Sequence, residues 1–243
     1  MNRRFATACL WAGAAALVVA CAPTRNHSGS DDAVGTVVTA NTQASLTPHE
    51  IFEDLKAGNE RFVAGDLTRF DYGAQVAATA SGQYPKAVIL SCLDSRVPVE
   101  TVFDQGIGDV FVGRVAGNFE NVDTLGSFEF ATAAAGTKLV VVLGHTACGA
   151  VKGACDGVEL GNLTATLDNL EPAVREARSQ VEAPHDSKNP RFVQAAVEAN
   201  VRITMRDILE RSEVIRGMVE SGDVMIVGGV YDLATGRVTW MDA

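Results

Sequence analysis

Leu139-Val140-Val141-Val142-Leu143 runs directly into Gly144-His145-Thr146-Ala147-Cys148-Gly149. Five consecutive apolar residues, β-branched at the centre, read as a strand covered on both faces, because a strand with one wet face would alternate. Three other runs share this character: Ala87-Val88-Ile89-Leu90, Asp109-Val110-Phe111-Val112 and Asp223-Val224-Met225-Ile226-Val227-Gly228. Helical stretches lie between them, at about 123–135, 147–156, 163–179 and 190–220. Strands alternating with helices predict an α/β fold with a mainly parallel central sheet of four strands flanked by helices. Val238-Thr239-Trp240 adds a short antiparallel edge strand after the turn at Thr235-Gly236. Upstream, Thr47-Pro48-His49-Glu50 opens a long amino-terminal helix, with a capping Thr, an early Pro and an acid in the first turn. Ile51, Leu55 and Phe62 share one face of it.

Two chemically dense segments sit just beyond strands. Ser91-Cys92-Leu93-Asp94-Ser95-Arg96 follows the first strand, and His145-Thr146-Ala147-Cys148 closes the third. Ligands of open α/β sheets bind beyond the carboxyl ends of strands, where the strand order reverses. Zinc accepts thiolate sulfur and imidazole nitrogen in tetrahedral geometry. The His-x-x-Cys spacing of His145 and Cys148 lets both reach one ion, and Cys92 supplies a third ligand from a neighbouring strand. Three protein ligands leave a position for water, the mark of a catalytic site. On residue chemistry alone the rival reading stays open: cysteines after apolar strands serve as small core residues. Asp94 lies two residues after Cys92 and so shares its face in extended chain. Arg96, two further on, pairs with a carboxylate as a fork. The pair reads either as a holder of the metal's water or as a surface ion pair of little consequence.

The net charge of -10 argues against a nucleic-acid partner, and 47% hydrophobic residues suffice for a packed core in 243 residues. Met1-Asn2-Arg3-Arg4 is a positive head before an apolar run from Phe5 to Ala20, too short for a membrane span. Residues 1–20 therefore read as a secretory signal. Val18-Val19-Ala20-Cys21 resembles a bacterial lipobox, with Cys21 as the lipidated residue; cleavage after Ala22 is the alternative. Either way the protein is exported, to the periplasm or cell surface, and touches membrane only through an anchor on Cys21. Residues 21–45 read as a flexible tether and 46–243 as the catalytic domain. Five cysteines are present: Cys9, Cys21, Cys92, Cys148 and Cys155. The three in the domain suit metal ligation better than a disulfide framework, with Cys155 as a buried leftover. His27, His49 and His185 read as surface residues.

Cys92-Leu93-Asp94-Ser95-Arg96-Val97-Pro98 and Gly144-His145-Thr146-Ala147-Cys148-Gly149 together resemble the β-class carbonic anhydrases. Leu55-Lys56-Ala57-Gly58-Asn59-Glu60-Arg61-Phe62, Phe103-Asp104-Gln105-Gly106 and Asp109-Val110-Phe111-Val112-Gly113-Arg114 extend the resemblance over about 47 to 231. It implies reversible hydration of carbon dioxide to bicarbonate by attack of zinc-bound hydroxide, in a homodimer or higher homo-oligomer. Cys92, His145 and Cys148 match the zinc ligands; Asp94 and Arg96 match the dyad that orients the hydroxide. Gln83 matches the substrate-binding glutamine of the open-site, plant-like branch. Phe111, Ala116 and Phe130 match its pocket, although that branch commonly has tyrosine where Phe130 stands. The regulated branch uses a tryptophan near the amino-terminal helix. Here only Trp11 and Trp240 exist, so an open site is expected. The resemblance leaves two competing functions: hydrolysis of carbonyl sulfide or carbon disulfide, and non-catalytic binding of metal or bicarbonate by an exported lipoprotein. A thiol oxidoreductase is disfavoured because no Cys-x-x-Cys pair occurs.

Overall fold

The four apolar runs do form the sheet. A computed structural model describes residues 36–241 and places β1 at Ala87–Ser91, β2 at Val110–Arg114, β3 at Leu139–His145, β4 at Met225–Tyr231 and β5 at Val238–Trp240. The order is β2-β1-β3-β4-β5, with only the β4–β5 pairing antiparallel. β1 connects to β2 on one side and the chain then crosses to β3 on the other, so the switch point lies between β1 and β3. Every residue of β1 and β3 is buried, which is why neither shows polar alternation.

Ten α-helices are described: α1 Ala40–Ser45, α2 Pro48–Ala64, α3 Tyr72–Thr79, α4 Val99–Val102, α5 Val122–Glu129, α6 Gly149–Cys155, α7 Gly161–Asp168, α8 Glu171–Gln180, α9 Pro190–Arg211 and α10 Glu213–Glu220. Successive strand residues point to opposite faces. Ala87, Ile89, Val141 and Leu143 pack with Ile51 and Leu55 of α2 and with Phe103. Val88, Leu90, Val140 and Val142 pack with Phe128, Val151 and the Phe192, Val197 and Val201 face of α9. The long α9 approaches the sheet closely because Gly144 and Gly228 carry no side chain; a Cβ on Gly228 would stand 2.7 Å from Val201. The predicted cap of α2 is a full capping box between Thr47 and Glu50. Buried Asn59 ties that helix to the edge strand, donating to the carbonyls of Val102 and Gly236 and accepting from the Val238 amide.

Three expectations need correction. The reading of 21–45 as tether extends too far, because residues 40–45 are helical. α1 has no apolar stripe to announce it; it docks through one buried glutamine, Gln43, which donates to the carbonyls of Pro85 and Ala135 at 2.7 and 2.9 Å. The stretch 190–220 is two helices, because Ser212 ends α9 and then caps α10 by accepting from the Ile215 amide. His185 is half-buried against the Phe192 ring with a nitrogen 2.8 Å from the Val181 carbonyl, so it is not a surface residue. The signal segment, Cys21 and the tether before residue 36 lie outside the described residues.

A candidate metal centre

Cys92 leaves the carboxyl end of β1, His145 ends the adjacent β3, and Cys148 stands at the cap just before α6, after a single tight turn. That turn needs a left-handed residue, Ala147, at φ 54°. The ligating atoms of the three residues lie within 4.8 Å of one another, and their relative exposures are 4%, 0% and 1%. Among the described residues they form the one such metal-capable group. The two sulfurs are 3.8 Å apart.

The donor chemistry fits zinc. His145 Nδ1 stands 3.0 Å from the Thr146 carbonyl, which can only accept, so Nδ1 carries the proton and Nε2 presents its lone pair. Nε2 is fully buried and meets no hydrogen-bond partner. A buried orphan acceptor is costly unless something fills that role, and a cation held with two sulfurs does so. Backbone N–H groups are also directed at the sulfurs. Gly117 donates to Cys92 at 3.3 Å, and the amides of Val151 and Ala150 face Cys148. Hydrogen bonding from the Cys148 thiol lowers the Cys92 pKa to about 4. The same bond, with burial, pushes Cys148 well above the ordinary thiol range. The metal-free pair therefore shares a single proton.

Asp94 lies beside this group, with Oδ2 3.8 Å from His145 Nε2. Arg96 grips it three ways: Nε to Oδ1 at 2.9 Å, Nη2 to Oδ2 at 2.7 Å, and the backbone amide to Oδ1 at 2.9 Å. This fork holds the Asp94 carboxyl well below the usual carboxylate range. Ala116 is half-buried in the same neighbourhood, one residue before Gly117.

The other expected site residues stand elsewhere in the chain. Gln83 is exposed on the loop entering the amino end of β1. Phe111 is registered opposite Val88, four residues before Cys92, roughly 13 Å along the strand at about 3.3 Å per residue. Phe130, in the π-helical turn Phe130–Ala134, packs against Phe111 with centroids 6.3 Å apart and stays 58% exposed. The structure thus joins Cys92, Asp94, Arg96, Ala116, His145 and Cys148, and leaves Gln83, Phe111 and Phe130 at the opposite end of the sheet.

Sequence reasoning missed the supporting residues. Arg114 donates to the carbonyls of Cys92 and Asp94 at 2.9 and 2.5 Å. Buried Asn200 of α9 donates to the Gly117 carbonyl at 2.8 Å, holding the residue whose amide faces Cys92. Only Asn200 had a usable signal, as a lone amide between apolar Val197 and Val201.

A family model described as carbonic anhydrase matches residues 87–238. Carbonic anhydrase 2 of Mycobacterium tuberculosis is 38% identical over 211 residues, spanning 82% of this chain and 95% of the relative. A carbonic anhydrase of Mycolicibacterium smegmatis is 34% identical over 197 residues, spanning 79% and 92%. A tetrameric β-carbonic anhydrase of Sordaria macrospora superposes with a TM-score of 0.61 at 26% identity, over 70% of this chain and 91% of its own. A β-carbonic anhydrase of Aspergillus fumigatus gives 0.63 at 28%, over 79% and 91%.

Proposed function

The chain belongs to the β-carbonic anhydrase family, and from that premise we propose that it runs carbon dioxide hydration at an open metal site completed by a second copy of itself. Its activity is that of a carbonate dehydratase and its cofactor is zinc, for which Cys92, His145 and Cys148 are the fitting donors. Zinc, when bound, supplies the Lewis acidity that makes hydroxide available from water near neutral pH. Two thiolate donors soften that acidity, so activity should rise toward alkaline pH; a flat profile from about pH 6.5 to 9 would contradict this.

The observation that carries the open-site reading is the three-way grip of Arg96 on Asp94. So held, Asp94 stays ionised, with Oδ2 bonded to Arg96 at 2.7 Å and 3.8 Å from His145 Nε2. With zinc bound, its Oδ2 would accept a hydrogen bond from the nucleophilic water or hydroxide and orient it toward the substrate carbon. The Gln83 amide donates to the substrate oxygen as negative charge builds there. Phe111 and Phe130 exclude water around an apolar substrate. These three lie too far from the metal group of their own chain, so a partner copy supplies them. The exposed ring of Phe130 and the tetrameric state of the Sordaria relative support that assembly.

The test is zinc content by mass spectrometry with stopped-flow carbon dioxide hydration, run beside Cys148→Ser and with carbonyl sulfide as a second substrate. About one zinc per chain and hydration activity, both lost in the variant, is the expected result. Activity without metal, or turnover of carbonyl sulfide alone, would defeat the reading. We also propose export and lipidation at Cys21, supported by the lipobox-like Val18-Val19-Ala20-Cys21. Labelling cells with radioactive palmitate should mark the protein and not its Cys21→Ser variant.

A further inference from the structure

We infer that Arg114 is a positioning residue that anchors the Cys92–Asp94 loop to the sheet and so keeps Asp94 with Arg96 and off the metal. The inference rests on the open-site reading above. Arg114 is the last residue of β2, with its Cα opposite Ser91. Beyond that pair the backbone ladder makes two more bonds, from the Val115 amide to the Ser91 carbonyl at 3.1 Å and from the Leu93 amide to the Val115 carbonyl at 3.2 Å. The Arg114 side chain extends the ladder. Its Nε donates to the Cys92 carbonyl and its Nη2 to the Asp94 carbonyl, so one guanidinium bridges two oxygens on either side of Leu93. Only a planar fork with several donors spans them; an ammonium group would reach one. Among the described residues Arg114 forms no ion pair, so its donors serve the loop.

Arg96 cannot perform this task. It belongs to the same loop as Asp94 and travels with it, and its side chain is 58% exposed. The Arg96–Asp94 pair fixes the carboxylate relative to the loop. Arg114, rooted in β2, fixes the loop relative to the sheet that carries Cys92 and His145. Asp94 Oδ2 lies 2.7 Å from Arg96 Nη2 and 3.8 Å from His145 Nε2. A small loop shift would exchange the first neighbour for the metal side. Arg96 and Arg114 thus hold Asp94 at its two ends, one at the carboxylate and one at the carbonyl.

The test compares Arg114→Met, which keeps the length and removes every donor, with Arg114→Lys and with Arg114→Met/Asp94→Asn. Each is prepared as the full chain loaded with zinc or with cobalt(II). Zinc content, thermal unfolding, the visible cobalt spectrum and hydration turnover are measured. Arg114→Met should keep one metal per chain, change the cobalt spectrum and lose roughly tenfold in kcat, in the range that supporting residues of metal ligands show. Removing the carboxylate in the double variant should restore a spectrum identical to that of Asp94→Asn alone. Arg114→Lys should fall between, and it carries the test if the methionine variant does not fold. A wild-type spectrum and rate in both single variants would overturn the inference. So would a spectral change that persists in the double variant, or loss of metal from Arg114→Met, because either would place the effect on Cys92. Wild-type protein without zinc or without hydration would instead defeat the functional reading, whatever the Arg114 variants do.

Discussion

At the carboxyl ends of β1 and β3, three ligand side chains are almost fully buried, within 4.8 Å of each other, with backbone amides already aimed at both sulfurs. At the amino end of the same sheet, Gln83 is exposed and Phe130 keeps more than half of its surface in solvent. A ring of that size left open loses a contribution of about 2 kcal/mol that burial would supply. The contrast separates two tasks. The metal donors are preorganised within one chain, whereas the proposed substrate wall is an open surface that a second chain would make concave. In the proposed assembly, isologous twofold pairing would bring the wall of each copy to the metal of the other.

The most severe way to break the metal end is Cys148→Ser. A hydroxyl in place of the buried thiolate removes one of three donors, and hydration should fall to the uncatalysed background with zinc below about a tenth per chain. Retained zinc with retained activity would remove Cys148 from the ligand set.

Gln83→Ala attacks the other end. Loss of a donor to the developing oxyanion should lower kcat by about 100-fold, with zinc unchanged. Mixing the two dead variants then decides which chain Gln83 serves. Random re-pairing makes half the dimers hybrid, each with one intact composite site, so roughly a quarter of wild-type activity should return. A mixture that stays inactive after subunit exchange would place Gln83 and the metal in one chain.

How far these ends were legible in the sequence follows the same division. β1 and β3 showed because burial on both faces writes an unbroken apolar run, and their ligands showed because Cys92 and the His145-x-x-Cys148 spacing fall together just beyond two such runs, in segments that resemble a known family. α1 did not show, because Gln43 docks it by two hydrogen bonds and leaves no stripe. Gly117 and Arg114 did not show because their partners are a sulfur reached by a backbone amide and two backbone carbonyls, and backbone atoms have no letter in the sequence. The separation of Gln83 and Phe111 from Cys92 could not be read at all without the register that sets Phe111 against Val88.

A third measurement sharpens the account of the metal end. With Cys92 lowered to about 4 by its bond from Cys148, and Cys148 raised by the same bond, the metal-free pair keeps one proton across the neutral range. Zinc requires both as thiolates, so binding expels about one proton from the pair and apparent affinity should climb about tenfold per pH unit. The sign is fixed by Cys148: raising pH removes the proton that competes with the metal. Titration calorimetry in buffers of different ionisation enthalpy counts the released protons. A pH-independent affinity would mean that both sulfurs are already ionised.

The smallest effect lies at Phe130. Its ring is tilted 59° to Phe111 with the outer edge in solvent, so a hydroxyl added there meets no packed neighbour and costs little stability. In the composite pocket that hydroxyl would supply a polar contact which phenylalanine lacks. One such hydrogen bond contributes about 1 kcal/mol, so Phe130→Tyr should raise kcat/KM roughly fivefold with zinc content unchanged. The gain depends on which chain carries the change. Placed on the Cys148→Ser chain and mixed with Gln83→Ala, it faces the working metal and should enhance the recovered activity. Placed instead on the Gln83→Ala chain, it faces the empty ligand set and should do nothing. A gain only with the change on the Gln83→Ala chain would mean that Phe130 acts within its own chain, and the two ends of the sheet would then have to meet without a partner.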